Sequence, residues 1–141
     1  MKIDHVGIQL KNLEGAIDWY KYIFNCQVEW ELSSFSELTR SRLPGIVKLV
    51  ELSADSVKLH LFEREVNDGG NSSSQFQHVA IELASKHCIE SIRERVKSCG
   101  VDNSYKSLSE IVVDNGGVAS CYFQDPEGNE FELVSYENKI K

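Results

Sequence analysis

The chain has 141 residues, 41% of them hydrophobic and 26% charged, a composition that is typical of one globular domain. A formal net charge of −7 and a pI near 5.1 exclude proteins that hold nucleic acid or anionic membranes by bulk electrostatics. No apolar run approaches the roughly 18 residues that span a bilayer, and no basic segment followed by an apolar stretch opens the chain. We therefore expect a cytoplasmic protein that binds neither nucleic acid nor membrane.

The first half of the chain predicts one strand, one helix and three further strands. Asn12 suits a helix N-cap, and apolar residues spaced by three and four follow it at Leu13, Ile17, Tyr20 and Phe24. A short polar break at 54–56 predicts a hairpin turn between the last two strands. The predicted elements are a strand at 2–10, a helix at 13–24, and strands at 27–33, 46–53 and 57–63.

The segment between two of these strands, residues 33–45, is polar and ends at Pro44-Gly45. Its two cations, Arg40 and Arg42, suggest a lid that carries positive charge to an acidic substrate. The plainer interpretation is a solvated loop that joins two strands. A second polar segment, residues 64–74, is rich in Gly, Ser and Asn and predicts a linker.

The second half repeats the order of the first. A strand is expected at 75–83, a helix at 86–99 that Gly100 closes, and then further extended segments. HVGIQL at 5–10 matches HVAIEL at 78–83 with an offset of 78 − 5 = 73 residues. LHLF at 59–62 matches FELV at 131–134 with an offset of 132 − 60 = 72 residues. We expect one domain over 1–141, with module one at 1–63, a linker at 64–74 and module two at 75–137.

The repeated positions predict a metal site. His5 and His78 fall on the strand face opposite the Val and Ile that should pack beneath the helices, and the second match pairs His60 with Glu132. A local two-fold axis would bring equivalent residues together, and divalent ions bind imidazole nitrogen and carboxylate oxygen. We therefore predict the metal ligands His5, His60, His78 and Glu132, and one divalent ion, which this donor set allows to be Zn, Ni, Co, Mn or Fe.

The chain resembles the vicinal oxygen chelate superfamily, which includes glyoxalase I, methylmalonyl-CoA epimerase, extradiol dioxygenases and the fosfomycin and bleomycin resistance proteins. The strings that carry the resemblance are DHVGIQLKNLEGAIDWYKYIF at 4–24, VKLHLFE at 57–63, QHVAIEL at 77–83 and YFQDPEGNEFELVSY at 122–136. Asp125-Pro126-Glu127-Gly128 in the last string also has the composition of a tight turn. The glyoxalase I and epimerase branches are the most similar.

This resemblance implies an α+β fold of two βαβββ modules related by a pseudo-two-fold axis, whose mixed sheets curl into an open barrel with flanking helices. The implied activity is that of a metal-dependent lyase, isomerase or epimerase that removes a proton next to a carbonyl and stabilises the enolate. Related proteins usually have Glu or Gln where this chain has His60, so Glu132 is the ligand left to act as the base. Gln9 and Glu82, on the same strand faces as His5 and His78, are candidate contacts to a small-molecule substrate, together with Arg40 and Arg42 of the possible lid.

Two other functions fit the same residues. A ferrous dioxygenase would use His5, His78 and Glu132 as its triad, with His60 as a spare acid or base, although such relatives are usually longer. A resistance protein would bind bleomycin without a metal, or would catalyse thiol transfer to fosfomycin with a metal and usually without a ligand at the His60 position. Relatives of this size commonly pair through exposed sheet edges, so a homodimer is expected.

Overall fold

The computed structural model describes residues 3–65 and 78–140, and these form two compact units, one from each half of the chain. In the first unit the elements follow one another as strand, helix, strand, short helix and two strands: β1 (Val6–Leu10), α1 (Leu13–Phe24), β2 (Gln27–Leu32), α2 (Glu37–Arg42), β3 (Ile46–Ala54) and β4 (Val57–Arg64). The strands form one mixed sheet in the order β1-β4-β3-β2, in which β1 runs parallel to β4.

The second unit has the same plan. Its elements are β5 (His78–Glu82), α3 (Lys86–Ser98), α4 (Asp102–Lys106), β6 (Val112–Val113), β7 (Ala119–Gln124) and β8 (Glu130–Ser135). Its sheet has the order β5-β8-β7-β6, and again the first strand lies parallel to the last. The predicted α+β fold class with two βαβββ modules is confirmed. Within the described residues, no helix is both long enough and apolar enough to cross a membrane.

The two sheets share the register that the repeat predicts. In the first sheet Val6 lies opposite Leu59, and in the second Val79 lies opposite Phe131. These four positions differ by 79 − 6 = 73 and 131 − 59 = 72 residues, the offsets found in the sequence. His60 and Glu132 therefore occupy equivalent places on the last strand of their modules.

The long helices α1 and α3 each cover one face of their own sheet, and alternation along the strands leaves the other face free of that helix. On β4 the buried Leu59 and Leu61 flank His60, whose side chain is therefore on the opposite face. The buried stripe of α1 differs from the predicted one, because Ile17 and Phe24 are only half-buried. The residues of α1 that are buried are Leu13, Ala16, Trp19, Tyr20 and Ile23.

Helix ends agree with the sequence, whereas two short helices were missed. Asn12 accepts a hydrogen bond from the Gly15 amide at 3.0 Å, and Gly100 follows α3 with a positive φ of 68°. Residues 33–45 were expected to be a solvated loop or a lid, and within them Glu37–Arg42 form a short helix that Ser36 caps and that has no buried residue. Helix α4 forms where extended structure was expected. Neither helix is long enough to show an apolar period.

The connections also follow expectation where the structure describes them. The hairpin turn lies at Asp55-Ser56, and Asp55 has a positive φ of 52°. The Gly128 amide donates to the Asp125 carbonyl at 3.0 Å, which closes the turn with Pro126 at its second position. All four cysteines are free. The predicted linker begins one residue inside β4 at Arg64, and residues 66–74 of it lie outside the described part of the chain.

Both long helices begin against a carboxylate that is distant in sequence. Glu63 Oε2 accepts from the Leu13 amide at 3.0 Å, and Glu137 Oε2 accepts from the Lys86 amide at 3.2 Å. The first four amides of a helix lack partners within the helix, and a negative charge there also favours the helix dipole. The β4 and β8 segments are thereby tied to the helices of their own modules.

Replacement of Glu63 by alanine should lower the free energy of unfolding by about 1 kcal/mol, because a part-buried helix amide loses its acceptor. Urea denaturation measures this change. Glu65→Ala is the matched control, since its exposed side chain lies two residues further along and its stability should equal that of the native protein. Equal losses in the two variants would show that Glu63 does not act as a cap.

Candidate functional site

The candidate site residues of the first module lie on the helix-free face of its sheet. The His5 and His60 rings are stacked, with centroids 3.6 Å apart and planes inclined by 11°. His60 Nε2 is 2.7 Å from Glu51 Oε2, which is the distance of a charge-assisted hydrogen bond. The edge of Trp30 meets the His60 ring at 5.1 Å between centroids. This face thus contains two imidazoles, one buried carboxylate and an indole.

The side chains of His5 and His60 differ in their exposure to solvent. The side chain of His5 is 41% exposed and that of His60 is 14% exposed, while that of Glu51 is 12% exposed.

Asp4 Oδ2 lies 2.9 Å from His5 Nδ1. The hydrogen bond with His5, followed by the charge of Lys58, lowers the pKa of the Asp4 carboxyl below its ordinary value. Asp4 is therefore an ionised acceptor at neutral pH.

In the second module His78 Nε2 lies 3.3 Å from Glu132 Oε2. Tyr122 is opposite Glu132 in the β7–β8 register, and its ring meets that of His78 edge-on at 6.2 Å between centroids. Burial raises the pKa of the Tyr122 phenol, and a hydrogen bond and charge repulsion from Glu132 raise it further. Tyr122 is therefore a neutral hydroxyl beside the carboxylate at physiological pH.

The separation of the second pair suits two ligands of one ion. Donor atoms about 2.1 Å from a shared metal lie roughly 3.0–3.4 Å apart when the angle between them is octahedral or tetrahedral. The 3.3 Å between His78 Nε2 and Glu132 Oε2 is in that range, so their chemistry and spacing fit a divalent cation. The 2.7 Å of the Glu51–His60 pair is too short for two ligands and is that of a direct hydrogen bond.

The predicted substrate contacts lie elsewhere on the two sheets and on α2. Gln9 lies on the same face as His60, and its Oε1 accepts from Arg64 Nη1 at 3.2 Å. Glu82 is exposed on β5, on the same strand face as His78. Arg40 and Arg42 are exposed on α2. In neither unit, over residues 3–65 and 78–140, do three or more His, Cys, Asp or Glu side chains form a group able to hold a metal ion.

Three residues of these faces were missed in the sequence: Glu51, Tyr122 and Trp30. Glu51 could have been found by counting back from the predicted hairpin turn, because Ala54 pairs with Val57 and three further steps pair Glu51 with His60. The same reasoning leads from the turn at 125–128 to Tyr122. Trp30 could not be found in this way, since a β-bulge between Val28 and Trp30 shifts the register of β2.

Comparison with solved structures supports the fold. A glyoxylase/bleomycin resistance protein/dioxygenase domain from Frankia sp. EAN1pec is 13% identical, with a TM-score of 0.73, over 96% of this chain and 91% of that one. The genomically encoded fosfomycin resistance protein FosX from Listeria monocytogenes is 20% identical, with a TM-score of 0.66, over 96% and 93%. Lactoylglutathione lyase from Agrobacterium tumefaciens is 17% identical, with a TM-score of 0.66, over 96% and 94%.

At these identities the structures establish the fold and leave the reaction open. No curated protein matches the sequence. The family model described as the Glyoxalase/Bleomycin resistance protein/Dioxygenase superfamily matches residues 2–133, which is most of the chain. With two βαβββ modules in equivalent register and this match, the chain belongs to the Glyoxalase/Bleomycin resistance protein/Dioxygenase superfamily.

Proposed function

We propose that this protein is a divalent-metal-dependent enzyme of the glyoxalase type, a lyase, isomerase or epimerase that removes a proton next to a carbonyl of a small molecule. The observation that carries the proposal is the 3.3 Å separation of His78 Nε2 and Glu132 Oε2. These two donors lie on the helix-free face of their sheet, at positions equivalent to those of His5 and His60.

The ligands that we propose are His5, His78 and Glu132, drawn from both modules of one chain or of two partner chains. Two neutral imidazoles and one carboxylate would leave a divalent ion with a formal charge of about +1. Such an ion, when bound, supplies a Lewis acid that stabilises negative charge on an enolate oxygen. The sequence also predicts His60 as a fourth ligand, and this proposal leaves it out because its Nε2 is bonded to Glu51 and its ring is stacked on His5.

Glu132 is the residue that we propose as the proton acceptor. Its side chain is 18% exposed, so the carboxylate is partly shielded from water and remains reachable by a small molecule. Tyr122, which has a neutral hydroxyl, lies opposite it in the β7–β8 register. Gln9 and Glu82 stay predicted substrate contacts. Arg64 is a better candidate than Arg40 or Arg42 for binding an anionic group, because it is already bonded to Gln9 on the His60 face.

The proposal also covers the assembly and the location of the protein. Each four-stranded sheet has two edge strands, β1 and β2 in the first and β5 and β6 in the second. Exposed edges favour pairing with a second copy, so we propose a homodimer. A cytoplasmic location remains a prediction from the sequence.

One observation favours a second function, chemistry on fosfomycin. Proteins that transfer a thiol to fosfomycin resemble this chain and usually lack a ligand at the His60 position, and here His60 is bonded to Glu51 and stacked on His5. The fosfomycin resistance protein FosX from Listeria monocytogenes has a structure with Mn(II) and sulfate that is 18% identical to this chain, with a TM-score of 0.63. Opening of the fosfomycin epoxide by a thiol or by water is therefore the reaction to compare.

Protein purified without chelator should contain about one divalent ion per site, and His78→Ala and Glu132→Gln should each lose most of it, because the cation loses one of three protein ligands. Elemental analysis and titration with Co(II) measure this. His87→Ala is the matched control, since the His87 side chain is 87% exposed and lies near Glu90 alone among the acidic groups described. Retention of metal by both site variants would contradict the ligand assignment.

The metal-loaded protein should exchange a substrate proton with solvent deuterium when it is given the correct carbonyl compound. Hemithioacetals of glutathione or bacillithiol and acyl-CoA compounds are the panel to test by NMR. Glu132→Gln should slow the exchange by a factor of at least about 10²–10⁴, because it loses the proton acceptor and one of the three proposed metal ligands together.

A loaded native protein that exchanges no proton in this panel would contradict the proposed reaction. Consumption of fosfomycin under the same conditions would then favour the second function. Consumption of oxygen with catechols in the presence of iron would instead favour the dioxygenase alternative.

A further inference from the structure

The tautomer of His5 is fixed by its neighbour. Asp4 Oδ2 is 2.9 Å from His5 Nδ1, and an ionised carboxylate can only accept a hydrogen bond. His5 Nδ1 must therefore carry the proton, and in the neutral ring the lone pair is on Nε2. A carboxylate that binds one ring nitrogen in this way also makes the other nitrogen a stronger donor to a cation.

The ring plane of His5 is fixed by a different contact. His60 is stacked on it at 3.6 Å between centroids, with the planes inclined by 11°. His60 is itself held by the hydrogen bond from its Nε2 to Glu51 and by the edge of Trp30. Because the Glu51 and His60 side chains are only 12% and 14% exposed, they form a rigid support for the more exposed His5.

The same stacking separates the role of His60 from that of His5. An imidazole lone pair lies in the plane of its ring, so a shared ion about 2.1 Å from both nitrogens must lie in both planes. Two rings that are nearly parallel and 3.6 Å apart have no such common point within coordination distance. In this arrangement one of the two rings can bind the ion, and His5 has the freer nitrogen.

We propose that Asp4 and the Glu51–His60 pair are positioning residues for His5: Asp4 sets its tautomer, and His60, held by Glu51, sets its ring plane for metal binding through Nε2. This inference rests on the proposed function for the identity of the ligand. It assigns His60 to the support of a ligand and not to the coordination sphere.

The tautomer can be measured without metal. In chelator-treated, ¹⁵N-labelled protein, imidazole NMR should show His5 as the Nδ1–H tautomer in the native protein and a mixture in Asp4→Ala. Affinity for Co(II), measured by competition with a chelating dye, should fall about 10–100-fold in Asp4→Ala. Lys58→Gln is the control: Lys58 contacts Asp4 at 3.7 Å on the oxygen that does not bind His5, and an exposed ion pair contributes little.

The role of His60 is tested by two matched double variants that leave no buried carboxylate without a partner. Glu51→Leu with His60→Phe keeps a flat ring and removes the nitrogens, whereas Glu51→Leu with His60→Ala removes both. The phenylalanine variant should bind Co(II) within about threefold of the native affinity, and the alanine variant should lose about 10–100-fold. Thermal unfolding of both variants confirms that they are folded.

Two results would overturn the proposal. One is a loss in the phenylalanine variant as large as that in His78→Ala, which would make His60 a ligand. The other is native His5 in the Nε2–H tautomer. If the native protein binds no divalent ion at all, the proposed function fails, while the NMR of the metal-free protein still decides whether Asp4 sets the tautomer of His5.

Discussion

The parallel pairing of the first strand with the last strand of each module is the constraint on which the site depends. Side chains alternate between the two faces of a strand, so a slip of one residue would move His60 to the face that α1 covers. The register Val6–Leu59 and its counterpart Val79–Phe131 prevent this slip, because apolar residues at these positions must remain beneath the helices. Burial of the core thus decides which face has the imidazoles.

The same constraint explains how much could be predicted from the sequence. Alternation and the two repeat offsets were sufficient for the modules, the long helices and the faces of His5, His60, His78 and Glu132, since all of these follow from apolar periodicity. Their partners Glu51 on β3 and Tyr122 on β7 could be predicted only by counting residues back from the turn that joins each strand to the next. The bulge that brings Trp30 to His60 adds one residue to β2, and no periodic pattern announces it. Helices α2 and α4 are too short for periodicity to show.

The two modules have different residue types at equivalent positions of the same framework. At equivalent places the first module has Glu51 opposite His60, and the second has Tyr122 opposite Glu132. In the first, Glu51 and His60 form a direct hydrogen bond of 2.7 Å. In the second, a tyrosine lies opposite the carboxylate, and the carboxylate pairs with His78 at the longer distance of 3.3 Å. The third and last strands thus have different residue types in the two modules. The Glu51–His60 pair is the proposed support of His5, whereas His78 and Glu132 are the proposed donor pair for the ion.

This division has a consequence for the charge of the proposed site. Were Glu51 and Glu132 both within the coordination sphere, two carboxylates would neutralise a divalent ion and weaken it as a Lewis acid. Because Glu51 is hydrogen-bonded to His60, its carboxylate is already engaged and would not be a ligand of the proposed ion. Glu132 would then be the single carboxylate of the proposed site, with Tyr122 opposite it on β7. One carboxylate leaves the ion part of its positive charge and can itself accept a proton, and both properties are required of a ligand that also acts as a base.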